Sequence, residues 1–307
     1  MGDPAVTLMQ SVTVLFALVF VPLYLASGVW LAGRALSKLT WWLRVAYHLG
    51  ILIFLFMAAP WHWVSYYLRY AWLLAGVALA VRSWRAVREK PFLWTGPSAF
   101  VDVVLVAVAA VLVGLALPGY FFSEEPVELA FPLKDGAYVV GQGGNSPILN
   151  YHNVYESQKY ALDIAALNAW GARAAGLYPS DVTRYAIFGH TVYSPCDGTV
   201  TRAVDGLPDL SPPEADPENR AGNHVVVACK GVNVLLAHLR QGSVAVREGD
   251  EVVTGEPIGQ IGNSGNTSEP HLHVHAVRAD DSASFEGHGV PILFDGRFLA
   301  KNAVVRR

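Results

Sequence analysis

The sequence is poor in cysteine and in charge. Cys196 and Cys229 are its only cysteines, which excludes a disulfide-dense scaffold and a cysteine-rich zinc site. The two could close one disulfide in an oxidising compartment or lie as small buried thiols, and the sequence leaves both open. Charged residues make up 15% of the chain and the formal net charge is −3. A nucleic-acid surface needs clustered basic residues, so nucleic acid is excluded as a partner. Charge is missing altogether from residues 11–33, and no Lys or Arg precedes them. A signal peptide has a basic start and a shorter apolar core, so this run reads as a true membrane span.

What the chain does have is unevenly spread. Residues 11–120 are dominated by Leu, Val, Ala, Trp and Phe, whereas from Ser123 onward Gly, Asp, Asn and Pro break short apolar runs. The length suits about two domains: a helical membrane anchor over 1–120 and a soluble domain over 121–307. A spanning helix needs roughly 20 apolar residues. Residues 11–33 and 99–118 qualify, the latter with Asp102 near one end. Residues 41–60 and 61–81 are apolar but interrupted by Arg44 and Arg69, which are costly in the bilayer unless they snorkel to its surface. Pro60 and the neighbouring Trp61-His62-Trp63 suit an interfacial turn. Four transmembrane helices are expected, with three as the alternative.

Orientation follows from the basic loops. Asp3 stands before the first span, Arg34 and Lys38 follow it, and Arg82, Arg85, Arg88 and Lys90 precede the last. With those loops in the cytoplasm, everything after Tyr120 lies outside on either helix count. The lipid bilayer is thus one expected partner. Nothing in the helical part resembles a transport path, and His48 and His62 are expected to be packed or interfacial side chains.

The soluble part alternates β-like runs with turn residues at short spacing, the pattern of a mainly antiparallel β domain. The polar, Pro-rich residues 205–222 read as a long exposed loop. Chemistry concentrates near the end. In Pro270-His271-Leu272-His273-Val274-His275 three histidines alternate. On a strand they share one face, and aligned imidazoles suit a metal site better than packing. Upstream, His238 ends an apolar run in Leu236-Ala237-His238-Leu239. Between the two lies Gly249-Asp250-Glu251-Val252 with Gly255 and Ile258-Gly259, whose glycines suit tight hairpins.

In order, these residues resemble the LytM/lysostaphin-type zinc metalloendopeptidases that cut peptidoglycan cross-links. The resemblance runs over about residues 135–280. It includes Asp163 in Tyr160-Ala161-Leu162-Asp163-Ile164, the Ala237-His238-Leu239 strand end, the Gly249 hairpin and the closing Pro270-His271-Leu272-His273. Gly189 with Ser194-Pro195-Cys196-Asp197-Gly198-Thr199-Val200 looks like another of the family's strands. The resemblance implies one Zn2+ per chain, with Asp163 and His273 as ligands and His238 and His271 as catalytic residues beside the metal. It further implies a bacterial cytoplasmic membrane protein with its domain on the extracytoplasmic side, acting on peptidoglycan peptides or another peptide there.

The sequence departs from the pattern at one ligand. The family places a His four residues before the Asp, where this chain has Lys159. The nearest replacement is His152, which a turn over 154–158 would bring back to the metal. His275 falls where the family often has a carboxylate and is read as orienting a ligand. His190 and His224 are expected to be surface or strand residues, and Asn223 and Asn263 turn residues. The alternative function is a degenerate domain of this type that binds and regulates other cell-wall hydrolases, which the Lys at position 159 motivates. A biotinyl or lipoyl carrier domain shares the hairpin glycines but needs a Lys at the turn, which is missing here.

Overall fold

The computed structural model describes residues 4–279 and 284–307, so Asp3 of the orientation argument lies outside them. The chain divides into two compact units, Val12–Leu117 and, for the greater part of the second, Pro118–Arg307.

The helix α1 (Pro4–Leu15), of which only residues 12–15 belong to the first unit, runs through a wide turn, Phe16–Phe20, into α2 (Val21–Leu31). Then follow α3 (Lys38–Ala58), α4 (Leu68–Trp84) and α5 (Pro97–Ala116). Ser37 starts α3 by accepting a hydrogen bond from the Thr40 N–H at 3.2 Å. Pro60 ends it, and Trp61–Trp63 form a single 3-10 turn before α4. Among the described residues three stretches are long and apolar enough to cross a membrane: Met9–Arg34, Lys38–Ala58 and Pro97–Tyr120. The helix α4 is shorter, at 17 residues, and carries Arg69 and Arg82. The charges that interrupt the apolar runs do not stand alone. Arg44 on α3 donates to Asp102 on α5 at 3.2 Å, and the Arg69 guanidinium lies 3.7 Å from the centre of the Phe56 ring. His48 packs against Gly28, which leaves no room for a side chain at residue 28.

The second unit is built on a nine-stranded sheet. Its strands are β1 (Ala137–Gln142), β2 (Leu162–Ala166), β3 (Gly198–Val204), β4 (Asn223–Cys229), β5 (Val232–Leu239), β6 (Glu251–Val252), β7 (Leu272–Arg278), β8 (His288–Val290) and β9 (Val304–Arg306). The order is β9-β1-β2-β7-β5-β4-β3-β6, with β8 pairing the C-terminal half of β7. Every neighbouring pair in it is antiparallel, as the short alternating runs predict.

Alternation decides what each face carries. Leu162, Ile164 and Ala166 of β2, Val232, Val234 and Leu236 of β5, and Leu272, Val274 and Ala276 of β7 all join the main hydrophobic core. The residues between them point the other way. There Leu235 and Ala237 form a smaller cluster with Val226, and Asp163, His273 and His275 are buried beside it. Cys196 and Cys229 form a disulfide, with Cα atoms 6.2 Å apart, which settles the alternative left open by the sequence. Residues 205–222 contain neither helix nor strand. They are tied down by Asp205 and Asp209, which accept backbone N–H groups of Gly242, Val244, Gln241 and Asn263.

Candidate metal centre

The site begins with strand register. In the β2–β7 pairing Asp163 stands directly opposite His273, and on the other side of β7 His273 stands opposite Ala237. Directly opposed side chains on one face start only about 5 Å apart at Cβ. His273 Nδ1 lies 2.9 Å from Asp163 Oδ1. His271, just before β7, brings its Nε2 to 3.5 Å from the same oxygen.

His238 follows Ala237 and by alternation would enter the main core. Its backbone has φ +63°, a left-handed conformation that histidine adopts more readily than most residues. That kink ends the alternation and turns the ring toward its fellows. His238 sits 4.8 Å from His271 and 5.9 Å from His273, between ring centres. Its Nδ1 is 2.9 Å from the Ser264 carbonyl. A carbonyl accepts only, so Nδ1 carries the proton and Nε2 holds a lone pair.

His152 arrives from a different kind of segment. Two 3-10 turns, Tyr151–Val154 and Glu156–Gln158, fold the chain back toward β2. Asn150 pins both ends of this excursion. Its Oδ1 accepts the His152 N–H at 3.1 Å, and its Nδ2 donates to the carbonyls of Gly144 and Ala161, each at 3.1 Å. Tyr151 stacks on the His152 ring with centres 4.0 Å apart. As a result His152 Nε2 lies 3.0 Å from both Asp163 oxygens. Lys159, in the place of the family's His, turns elsewhere and donates to Glu124 at 2.6 Å.

His275 fixes the remaining tautomer. Its Nε2 donates to the Phe285 carbonyl at 3.1 Å, so its Nδ1 accepts from His273 Nε2 at 2.9 Å. His273 Nδ1 is then a lone pair, and it faces an Asp163 oxygen at 2.9 Å. Two acceptors that close, both buried, call for a cation between them. The three donor atoms of His152, Asp163 and His273 lie within 4.8 Å of one another, as do those of His238, His271 and His273. Two imidazoles and a carboxylate are the protein donor set of a catalytic zinc site. The residues therefore fit the metal.

Electrostatics agree with that arrangement. Burial alone would raise the Asp163 carboxyl, but His152 and His271 outweigh it and hold it well below the usual carboxylate range. Burial pushes His273 down to about 4 and His275 down to about 3, and it drives His238 well below its ordinary value. These imidazoles are neutral near pH 7, the form that can ligate. His271 is the exception: burial is the largest single influence and lowers it, but the Asp163 charge, the contact with that carboxylate and Glu269 together raise it further than burial lowers it.

The loop that delivers His271 has an anchor of its own. Arg173, 2% exposed, donates to Glu269 at 2.7 Å and to the Leu177 carbonyl at 3.0 Å. Tyr151, Asn150 and Arg173 are neighbours of the site that sequence reasoning missed. Tyr151 adjoins His152, which could have drawn attention to it, but nothing local marks Arg173. The other singled-out residues lie apart from the cluster. His190 Nδ1 meets the Tyr138 hydroxyl at 3.0 Å, and His224 Nδ1 donates to the Gly222 carbonyl at 2.7 Å. Asn223 and Asn263 hold loop backbone, donating to the Leu207 and Leu210 carbonyls at 2.8 and 2.6 Å.

Residues 182–284 match the family model of peptidase family M23. The chain carries a domain of that family, with His238, His271 and His273 inside the matched stretch and His152 and Asp163 ahead of it. Solved structures are similar in part. The M23 metalloprotease pseudoalterin from the deep sea is 15% identical over 59% of this chain and 99% of its own, with a TM-score of 0.34. A zinc-containing peptidase from Vibrio cholerae is 20% identical over 41% of this chain and 50% of its own, with a TM-score of 0.25. A chain of the SpoIIQ–SpoIIIAH pore-forming complex is 21% identical over 42% of this chain and 59% of its own, with a TM-score of 0.26. This chain thus spans less than two thirds of the length of the last two. No curated protein matches it significantly.

Proposed function

We propose that this chain is a membrane-anchored zinc endopeptidase whose β domain acts outside the cytoplasm, with the peptide cross-bridges of peptidoglycan as its substrate. The observation that carries the reading is the lone pair of His273 Nδ1 set 2.9 Å from the Asp163 carboxylate, with His152 Nε2 3.0 Å from the same group. The membrane reading rests on the three apolar helices. The Cys196–Cys229 disulfide supports an oxidising side of the membrane.

His152, Asp163 and His273 would hold the metal. Bound there, zinc would supply Lewis acidity toward a water and the scissile carbonyl. The chain's own residues do the rest. His238, with its proton fixed on Nδ1 by the Ser264 carbonyl, presents Nε2 as a base that takes a proton and passes it to the leaving amine. His271, held through Nδ1 by the Glu269 carbonyl at 2.9 Å, presents Nε2 toward the developing oxyanion. His275 keeps the His273 lone pair aimed at the metal position.

The test is metal content and hydrolysis on the purified full chain. About one zinc per chain is expected, with loss of both zinc and cleavage in His273→Ala. Metal-free protein that still cleaves overturns the reading. The alternative, a non-catalytic regulator of other hydrolases, rests on Lys159 and requires a domain without zinc. Zinc titration of wild type beside His152→Ala separates the two, because a regulator of that kind binds none in either.

A further inference from the structure

The helical unit leaves a different charge unanswered. Residues 12–117 carry eight Lys and Arg against two carboxylates, Glu89 and Asp102. Both acids are engaged, Asp102 with Arg44 at 3.2 Å and Glu89 with Arg88 at 3.3 Å. Lys90 is occupied too, donating to the Ala35 carbonyl at 2.6 Å. Of the rest, Arg69 lies over the Phe56 ring and Lys38 stands at the start of α3; the other three arginines are gathered rather than scattered. The end of α2 continues through the turn Ala32–Arg34 and meets the end of α4. A Cβ placed on Gly33 would lie 3.4 Å from that of Ser83. At this junction lies an open cavity of about 560 Å3, lined by Arg34, Arg82, Arg85, Trp30, Leu31 and Ser83.

Two helices therefore turn three guanidiniums onto one hollow. Among the described residues none of the three has a carboxylate partner. Beside them Trp30 and Leu31 are 50% and 40% exposed, an apolar wall on the open side. Helix dipoles favour a cation at each C-terminal end. That accounts for the arginines singly but not for the hollow between them.

We propose that this cavity binds the headgroup phosphate of an anionic phospholipid, with an acyl chain laid along Trp30 and Leu31. The proposal rests on the membrane reading of the helices. Guanidinium forks match phosphate oxygens in pairs, and tryptophan favours the headgroup level. Basic hollows between spanning helices suit anionic lipid. A soluble anion would have no use for the apolar wall.

The test uses the full chain in lipid discs that mix phosphatidylglycerol with phosphatidylcholine, followed by native mass spectrometry of the lipids it retains. Preferential retention of phosphatidylglycerol is expected. Arg34→Gln and Arg82→Gln should each weaken it about tenfold, the worth of one charge-assisted hydrogen bond. Arg88→Gln, which removes the same charge outside the cavity, should weaken it less than about twofold. Equal losses in all three variants would mean general surface charge and overturn the site, as would retention without lipid preference. Displacement of the lipid by inorganic phosphate would overturn the assignment to lipid. A chain that enters neither kind of disc would instead sink the membrane reading itself, so the two failures are distinguishable.

Discussion

In the helical unit the unpartnered arginines sit at helix ends, where Arg34, Arg82 and Arg85 are exposed. In the β domain Asp163 and His273 are 8% and 5% exposed and face each other at 2.9 Å. Both arrangements ask for an ion of opposite sign, yet they differ in what happens without it. Exposed guanidiniums are solvated by water and lose little. A buried carboxylate ringed by imidazoles has no such refuge, because desolvation of an unpaired charge costs several kcal/mol. Burial, more than charge, therefore separates a site the fold depends on from one that only tunes its surroundings.

The sharpest way to break that comparison is Asp163→Asn. It removes the only carboxylate of the cluster among the described residues while keeping its shape. Zinc content should fall to near zero, and hydrolysis by at least about a thousandfold, the scale of losing a main electrostatic stabiliser. Retained zinc would mean that the buried cluster tolerates loss of charge as the helix ends do. Next in size is Arg173→Ala, which strands the Glu269 carboxylate beneath the His271 loop. Breaking a buried pair from one side costs about 3–5 kcal/mol. The midpoint of β-domain unfolding in the full chain should drop accordingly. Arg173→Met with Glu269→Leu should recover most of the loss; a double variant as weak as the single would show that the pair is not the cause.

A third prediction concerns His275, which acts through another side chain. His275→Leu removes the acceptor for His273 Nε2 and frees the His273 tautomer. Zinc affinity should fall about 10- to 100-fold. His275→Asn, which can still accept, should fall less. Equal losses would reduce His275 to a packing residue.

How far the sequence reaches is visible in these same residues. His271 and His273 are legible because period-two alternation puts them on one face, whereas Asp163 is legible only through the resemblance. The antiparallel β class is legible from the same alternation. His238 is legible only through the resemblance, since alternation would place it in the core and the φ of +63° that turns it out leaves no trace in composition. His152 is reached by elimination; what seats it is Asn150, whose partners are carbonyls that no motif records. Arg173 and Glu269 stand 96 residues apart, a separation at which local pattern carries no information. The disulfide is illegible for the same reason, because pairing depends on the distance between β4 and the loop before β3.

The smallest effect belongs to Lys159, the residue that occupies the family's usual ligand position. Its hydrogen bond to Glu124, with that of Tyr160 next in weight, holds the Glu124 carboxyl down at about 2, against an ordinary value of 4.5. A carboxyl held low in the folded chain adds stability that is present above its unfolded value and fades as pH falls through the folded one. The window therefore runs from about 4.5 down to about 2. The Lys159 and Glu124 side chains are 30% and 36% exposed, so water screens the pair and its worth stays below about 1 kcal/mol. Glu124→Gln should lower β-domain stability by that amount at pH 7, and the difference from wild type should vanish by pH 2. Zinc content should not change, because His152, and not residue 159, supplies the imidazole beside Asp163. A Glu124→Gln chain that lost zinc would instead tie the exposed pair to the buried centre and erase the distinction between them.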